Sequence, residues 1–217
     1  MERVGIVTDS NSGVSREEAD ILGIKVVPMP FTIDGVEFYE GVTIERKEFF
    51  DKLSQGAVVK SSQPSPEVLM RIWDEMLGKY ESVVYIPMSL GLSSSVMTAK
   101  TLAEDYDGRV YVVDNHRISC TQKMSVLEAI KMRELGFEAS RICEVLEENK
   151  MNASIYIAVD TVEYLKKGGR ITSAGAAVSS ILHIKPILQI QGDKLDAYAK
   201  VRGEKAVREK LLRAVEK

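Results

Sequence analysis

The chain has 217 residues, of which 45% are hydrophobic and 28% are charged, and its formal net charge is -3. This balance supplies enough apolar side chains for a folded core, and it creates no broad positive field for the phosphates of nucleic acid or an anionic membrane. It therefore argues against nucleic-acid binding, and the length fits one large domain or two smaller ones.

We expect neither a signal peptide nor a membrane span. The N-terminus, MERVGIVTDS, contains only a short apolar run, and no later run approaches the ~20 apolar residues of a transmembrane helix. Cys120 and Cys143 are isolated and form no CxxC pair, which argues against a metal cluster or a redox couple. We expect a cytoplasmic protein without membrane insertion, bound metal or cofactor.

The first elements alternate between strand and helix. RVGIVTD predicts a strand, and the helix after it has Ser15 as its N-cap and Gly23 as its end. IKVVPMPFTI predicts an edge or irregular strand because it contains two prolines, and DGVEF predicts a turn and a returning strand. The next helix, in TIERKEFFDKLSQG, is predicted to begin at a Thr43 cap.

The alternation continues through the middle of the chain. SPEVLMRIWDEMLG predicts a helix with Ser65 as its N-cap and Gly78 as its end. SVVYIPM and RVYVVD are continuous apolar runs, which are typical of strands buried on both faces of a parallel sheet. Helices are expected after them, at about residues 94–105 and 119–135. Residues 1–150 are therefore predicted to form an α/β domain with a parallel sheet.

The pattern changes near residue 150. SIYIAVD predicts a strand, TVEYLKKGG a short helix, and SAGAAVSSIL a second helix that begins at Ser173. The segment from Ile184 to Arg202 then predicts an antiparallel hairpin with a Gly192–Asp193 turn. An antiparallel element after a parallel run indicates a second, α+β domain over residues 151–217.

Polar residues cluster in four segments between these elements. In open α/β sheets ligands bind beyond the carboxyl ends of the strands, and free N–H groups at helix N-termini attract anions. The four segments together predict a site for an oxyanion, although each serine alone could simply cap a helix. The segments are Thr8–Ser12, Lys60–Ser65, Ser89–Ser95 and Asp114–Ser119.

A serine hydrolase is one alternative. Ser93 lies in GLSSS, a partial match to the G-x-S-x-G nucleophile elbow in which Ser95 replaces the last glycine. A nucleophilic serine needs a base, and the chain offers only His116, in a polar loop, and His183, expected at a helix end. Hydroxyls without a clear base favour binding over chemistry. No P-loop or dinucleotide-binding motif occurs either.

Several short motifs, taken in order, carry a family resemblance over nearly the whole chain. They are VGIVTDSNSGVS, KSSQPSPE, SLGLSSSVMTA, VYVVD, YLKKGGRI, IKPIL and KVRGEKA. Each is weak alone, but the ordered set resembles the DegV family of bacterial fatty-acid-binding proteins.

This resemblance implies an N-terminal α/β domain, a C-terminal α+β domain, and one long-chain fatty acid held between them. It also implies a lipid-binding carrier rather than an enzyme. Such a carrier presents the acyl carboxyl to a separate fatty acid kinase and then carries the acyl phosphate.

The resemblance also implies site residues. The head-group hydroxyls of the family fall on Ser61, with Ser62 beside it, and on Ser93. Arg170 and Arg202 match basic positions that the family presents near the site mouth and to the kinase. A solvated surface position is the alternative interpretation of both arginines.

One departure from the resemblance matters. The resemblance implies further strands and a head-group histidine beyond Lys217, where this sequence ends. The implied fold is also shared with dihydroxyacetone kinases, so a sugar-phosphate or dihydroxyacetone-type ligand is a second interpretation. A protein-interaction module without a small ligand is a third.

Overall fold

The computed structural model describes residues 2–40, 42–177, 184–191 and 194–216. The chain divides into two compact units, Met1–Lys150 and Met151–Lys217. A parallel sheet with helices in the first unit and a separate antiparallel sheet in the second confirm the predicted fold class. Within the described ranges no helix is long and apolar enough to cross a bilayer.

The central sheet of the first unit has parallel strands throughout. In spatial order they are β2 (Lys25–Val27), β1 (Glu2–Asp9), β6 (Tyr80–Ile86) and β7 (Val110–Val112). Residues 83–86 are completely buried, as expected for a strand covered on both faces. Because the strands are parallel, their carboxyl ends share one edge of the sheet, and Thr8 lies opposite Ile86 there.

Helices cover both faces of this sheet. The helices of the first unit are α1 (Arg16–Leu22), α2 (Arg46–Ser54), α3 (Pro66–Leu77), α4 (Ser95–Ala103), α5 (Ser119–Glu134) and α6 (Ala139–Glu148). On one face, residues of α1, α5 and α6 form a buried cluster with Ile6 and Val84. On the other face, Trp73 of α3 packs against Tyr85 and Tyr106, with ring centres 5.7 and 5.4 Å away.

The predicted caps of two helices are confirmed. Ser15 Oγ accepts the N–H of Glu18 at 3.1 Å, and α1 ends at Gly23, whose φ of 62° is left-handed. Ser65 Oγ accepts the N–H of Val68 at 3.4 Å, with a proline at the first helical position. These side chains satisfy N–H groups that have no partner inside the helix.

Two helix starts differ from the sequence-based expectation. Thr43 does not cap α2: its Oγ1 accepts the N–H of Tyr39 at 2.8 Å and closes the turn after the preceding strand. The helix begins at Arg46, with Glu45 in the cap position. The sequence analysis also did not assign α6, whose cap residue Glu138 makes no side-chain cap bond and so gives no start signal.

A small antiparallel sheet lies outside the central one. Its strands, in the order β4-β3-β5, are β3 (Pro30–Ile33), β4 (Val36–Tyr39) and β5 (Val59–Ser61). The predicted turn between β3 and β4 is confirmed, and Asp34 within it accepts the N–H of Val58 at 2.9 Å. The polar segment Lys60–Ser65 therefore follows an antiparallel strand, not a strand of the parallel sheet as expected.

The second unit contains an antiparallel sheet in the order β10-β9-β8. Its elements are β8 (Ile155–Ala158), α7 (Glu163–Gly168), α8 (Ser173–Ala176), β9 (Ile184–Ile190), β10 (Leu195–Arg202) and α9 (Glu204–Val215). The predicted pairing of β9 with β10 is confirmed, while its Gly192–Asp193 turn lies outside the described residues.

Helix α8 begins at Ser173, as predicted. Thr172, not Ser173, is the N-cap, because Thr172 Oγ1 accepts the N–H of Gly175 at 3.1 Å. Residues 178–183, which include the rest of the predicted helix and His183, lie outside the described residues.

Candidate functional site

The segments at the carboxyl ends of the central strands are joined by hydrogen bonds. Asp9, at the end of β1, accepts the N–H of Met88 through Oδ2 at 2.8 Å. Ser89, which follows β6, donates its N–H to the carbonyl oxygen of Arg117 at 2.8 Å. The segments after β1, β6 and β7 therefore meet, and the one after β6 is in the middle.

The polar segment Lys60–Ser65 reaches the same place from the small sheet. Gln63 Oε1 accepts hydrogen bonds from Thr98 Oγ1 at 3.1 Å and from Ser94 Oγ at 3.4 Å. These bonds join the segment that contains Ser61 and Ser62 to the start of α4, where Ser93 lies. The structure thus brings together the two segments that carry the predicted head-group hydroxyls.

Ser93 combines a structural bond with an available donor. Its Oγ accepts the N–H of Ser95, the first residue of α4, at 3.2 Å, and its backbone N–H donates to Ser89 O at 3.1 Å. The side chain is half-buried, and no acceptor for its hydroxyl proton occurs among the described residues. Since the bond from Ser95 uses only a lone pair of Ser93 Oγ, Ser93 can keep this bond and donate to a ligand at the same time.

Ser61 and Ser62 are exposed and have fewer internal constraints. Ser61 is the last residue of β5, and Ser62 donates its backbone N–H to Pro30 O at 3.1 Å. Neither hydroxyl is hydrogen-bonded to another of the residues that the structure describes. Both can therefore donate to a ligand without breaking an interaction of the fold.

The segment after β1 has a different role from the expected one. Thr8 Oγ1 donates to Ile86 O at 2.8 Å, and Ser12 Oγ donates to Asp9 O at 2.8 Å. Gln122 of α5 is fully buried, and its Nε2 donates to Thr8 Oγ1, Asp9 Oδ1 and Ile86 O at 3.1–3.2 Å. These polar groups are used inside the protein. The expectation that this segment faces an oxyanion is wrong for Thr8, Asp9 and Ser12, because all three are buried and bonded internally.

Asp9 is the carboxyl group at the centre of this internal network. It is fully buried, and desolvation raises the pKa of its carboxyl above the ordinary value, although N–H donors from Met88, Gln122 and Asn11 oppose the shift. The sequence analysis missed Gln122, which no local motif marks. Together these two residues connect the end of β1 to the end of β6 and to α5.

The segment after β7 is also held internally. Arg117 is 5% exposed and donates to Ser125 Oγ at 2.9 Å, to Glu128 Oε2 at 3.3 Å and to Asn149 O at 3.2 Å. Asn115 Nδ2 donates to the same Ser125 Oγ at 2.8 Å. Asn115 and Arg117 therefore support the site from inside the protein.

In the part of the chain that the structure describes, no base is hydrogen-bonded to the serine of the elbow-like segment. Among the described residues no imidazole or carboxylate accepts a hydrogen bond from Ser93 Oγ, and His116 is half-buried in a left-handed conformation with φ of 58°. His183 lies outside those residues. No cluster of three or more His, Cys, Asp or Glu side chains that could hold a metal occurs in the described part of the chain.

The two predicted arginines belong to the second unit. Arg170 follows Gly169, whose φ of 70° ends α7, and the Arg170 guanidinium donates to Gly168 O. The Arg170 carbonyl accepts the N–H of Leu195, the first residue of β10, whereas Arg202 is the last residue of that strand and is exposed. At ~3.3 Å per residue, the two arginines are roughly 20 Å apart along β10. They therefore lie near opposite ends of β10.

Comparisons with known proteins agree with this architecture. A family model described as "Uncharacterised protein, DegV family" matches residues 3–217. A DegV domain-containing protein of Deinococcus radiodurans is 32% identical over 203 residues, which cover 93% of this chain and 72% of that protein. One of Streptococcus pneumoniae is 32% identical over 206 residues, covering 94% and 74%.

Solved structures give the same result. One from Thermus thermophilus, named "Fatty Acid Binding of a DegV family Protein", has a TM-score of 0.90 at 34% identity and covers 99% of this chain and 77% of its own. A DegV lipid binding protein from Thermotoga maritima has a TM-score of 0.83 at 28% identity, covering 98% and 76%. With a family match over almost its whole length, this chain belongs to the DegV family.

Proposed function

We propose that this protein binds a long-chain fatty acid, whose carboxylate accepts hydrogen bonds from Ser61 and Ser93. The observation that carries this proposal is the pair of bonds to Gln63, which joins the two segments that contain these serines. Relatives at 34% and 28% identity that are named for fatty acid binding and lipid binding support the class of ligand.

The geometry near Ser93 suits an anionic head group. Ser93 lies at the N-terminus of α4, where unpaired N–H groups and the helix dipole favour negative charge. Ser61 and Ser62 add neutral hydroxyl donors that can serve a carboxylate or a phosphate equally well. Ser62 is the supporting donor in this proposal, because it is adjacent to Ser61 and equally exposed.

We further propose a carrier role without turnover. A separate fatty acid kinase transfers the γ-phosphoryl group of ATP to the bound carboxylate, releases ADP, and leaves the acyl phosphate on this protein. Arg170 contacts the phosphate, because a guanidinium fork matches phosphate oxygens. Arg202 contacts the kinase instead, since it lies at the far end of β10.

The ligand itself provides the decisive test. Protein purified under native conditions, extracted with organic solvent and analysed by mass spectrometry, should release a fatty acid of about 14–18 carbons. Each buried CH₂ group contributes roughly 0.8 kcal/mol, so shorter chains are lost during purification. Recovery of a sugar phosphate, or of no lipid from folded protein that also fails to bind added fatty acid, would contradict the proposal.

A further inference from the structure

The first unit contains a cavity of about 370 Å³, and Ser61 is one of the residues that line it. Its apolar walls come from β3, α2 and β5, through Phe31, Phe49, Phe50 and Val59. Small-molecule sites occupy about 300–1,000 Å³ and are lined mainly by apolar and aromatic side chains with a few polar groups. The cavity therefore has the size and lining of a ligand site.

The aromatic lining is only partly buried. Phe49 lies between Phe31 and Phe50, with ring centres 5.3 and 5.2 Å away, and Phe50 is 51% exposed. Helix α2, which carries two of these rings, contains no buried residue. Phe38 stacks on Phe31, so four of the five phenylalanines of the chain belong to this cluster. An apolar ligand that covered the rings would remove this surface from water.

The polar groups of the cavity are Arg46, Ser61 and Glu40. The Arg46 guanidinium lies 5.8 Å from the centre of the Phe50 ring and forms no ion pair with a carboxylate among the described residues. The Ser61 hydroxyl likewise has no acceptor there. Two open donors beside apolar walls are complementary to an amphiphile with an anionic head group.

We propose that this cavity binds the carboxylate form of a single-chain amphiphile, with its alkyl chain on the phenylalanine rings and its carboxylate at Arg46 and Ser61. The proposal rests on the proposed function for the chemical class of the ligand. It adds a second position for that ligand, since the cavity includes Arg46 and not Ser93, and the two positions are occupied in alternation because both use the single hydroxyl proton of Ser61.

Glu40 lowers the affinity of the cavity for anions. Its carboxylate repels a doubly charged phosphate about twice as strongly as a singly charged carboxylate, and Arg46 attracts the phosphate more strongly by the same rule. The two opposite charges therefore give no preference for the acyl phosphate over the free acid.

Fluorine NMR can test this site because the chain has so few phenylalanines. Protein labelled with 4-fluorophenylalanine should give one resonance for each of its five phenylalanines, which single Phe→Leu variants assign. The labelled protein is titrated with decanoate, decanol and decyl phosphate. We expect decanoate to shift the resonances of Phe31, Phe49 and Phe50. Phe137, which belongs to neither the cluster nor the cavity lining, is the internal control and should not move.

Charge variants then test the head-group assignment. Arg46→Gln should weaken decanoate binding about five-fold, as expected for a partly exposed ion pair, and leave decanol binding unchanged. Glu40→Gln should strengthen binding of decanoate and strengthen binding of decyl phosphate more. Equal effects on acid and alcohol, or no effect of either variant, would overturn the assignment.

Two outcomes separate this inference from the proposed function. In Ser93→Ala protein the decanoate-dependent shifts of the phenylalanine cluster should persist, because the cavity does not include Ser93. If calorimetry shows Ser93-dependent acid binding while the cluster resonances stay fixed, the second site is absent and the proposed function stands. If the resonances change with protein concentration alone, a second copy of the chain covers the cavity and the inference is wrong.

Discussion

Thr98 on α4 donates a 3.1 Å hydrogen bond from its Oγ1 to Gln63 Oε1, thirty-five positions earlier in the chain. Ser94 donates to the same oxygen at 3.4 Å. The small antiparallel sheet and the end of the parallel sheet are therefore joined where the hydroxyls of Ser61 and Ser93 lie. The hydrogen bonds to Gln63 therefore help to set the distance between the two hydroxyls.

The first prediction concerns Gln63. Gln63→Ala removes both bonds, so the two hydroxyls lose their fixed spacing, and fatty acid affinity should fall by about 1 kcal/mol, the typical net value of such bonds. Gln63→Glu keeps the accepting oxygen but adds a negative charge beside the head group. It should weaken binding of a fatty acid while sparing the matching fatty alcohol, as measured by calorimetry.

Thr98→Val provides the matched control for Gln63. It removes one donor to Oε1 with little change in volume, and it should produce a smaller loss of affinity in the same direction as Gln63→Ala. Unchanged affinity in both Gln63 variants would mean that the spacing of the hydroxyls does not depend on this link.

A second prediction separates Ser61 from Ser93. Ser93→Ala should lower the free energy of unfolding by about 0.5–1.5 kcal/mol, because it loses the hydrogen bond that Ser93 Oγ accepts from Ser95 N–H at the start of α4. Ser61→Ala should leave stability nearly unchanged, since its hydroxyl has no partner among the described residues. Both variants should lose about 1.5–3 kcal/mol of affinity for a fatty acid, the range for hydrogen bonds to a charged group.

Ser65→Ala is the control for capping alone. It removes the 3.4 Å cap of α3 in the same segment as Ser61, so it should lower the melting temperature without changing fatty acid affinity. Losses of acid and alcohol affinity that are equal and follow the melting temperature in all three variants would show that these serines only stabilise the fold.

The sequence predicted most of the first unit because its signals are local. Continuous apolar runs identified β6 and β7, and Ser15 and Ser65 marked helix starts that the structure confirms. The prediction that Thr43 caps α2 was wrong because its hydroxyl accepts a turn N–H instead. Sequence spacing does not distinguish these two roles.

The site was harder to predict because its connections are long-range. Sequence alone identified the polar segments, but it could not separate the buried network of Asp9 and Gln122 from the open hydroxyls of Ser61 and Ser93. Gln122 and Asp9 are 113 positions apart and carry no joint motif. The roles of Ser61, Ser62, Ser93, Arg170 and Arg202 in binding therefore stay predictions.

The third prediction uses the pH dependence of Asp9. Burial raises the pKa of its carboxyl in the folded protein above the unfolded value of 3.8, so the folded state binds the proton more tightly. The stability that this preference contributes is complete below the unfolded pKa and is lost as pH rises through the raised folded pKa. Denaturant melts from about pH 3.5 to 7 should therefore show this loss in the wild type.

Asp9→Asn isolates the contribution of this carboxyl, because the other acidic groups are the same in both proteins. The variant should lack that pH-dependent component, and it should also be less stable at low pH because an amide cannot accept all of the N–H donors around Asp9. Stability curves of wild type and variant that stay parallel across this range would contradict a raised pKa.

The last prediction assigns different roles to the two arginines at opposite ends of β10. Arg170→Ala should spare most of the affinity for a fatty acid but weaken binding of an acyl phosphate, since a doubly charged phosphate gains more from a guanidinium than a carboxylate does. Arg202→Ala should leave affinity for both ligands unchanged and slow only the reaction with the kinase, because Arg202 lies roughly 20 Å from Arg170 along the strand. Affinities for a fatty acid and for a stable acyl phosphonate, together with kinase rates, distinguish the two variants, and Lys200→Ala on the same strand is the charge-matched control. If Arg170→Ala and Arg202→Ala weaken phosphonate binding equally, the two guanidinium groups act on one phosphate and the assigned roles are wrong.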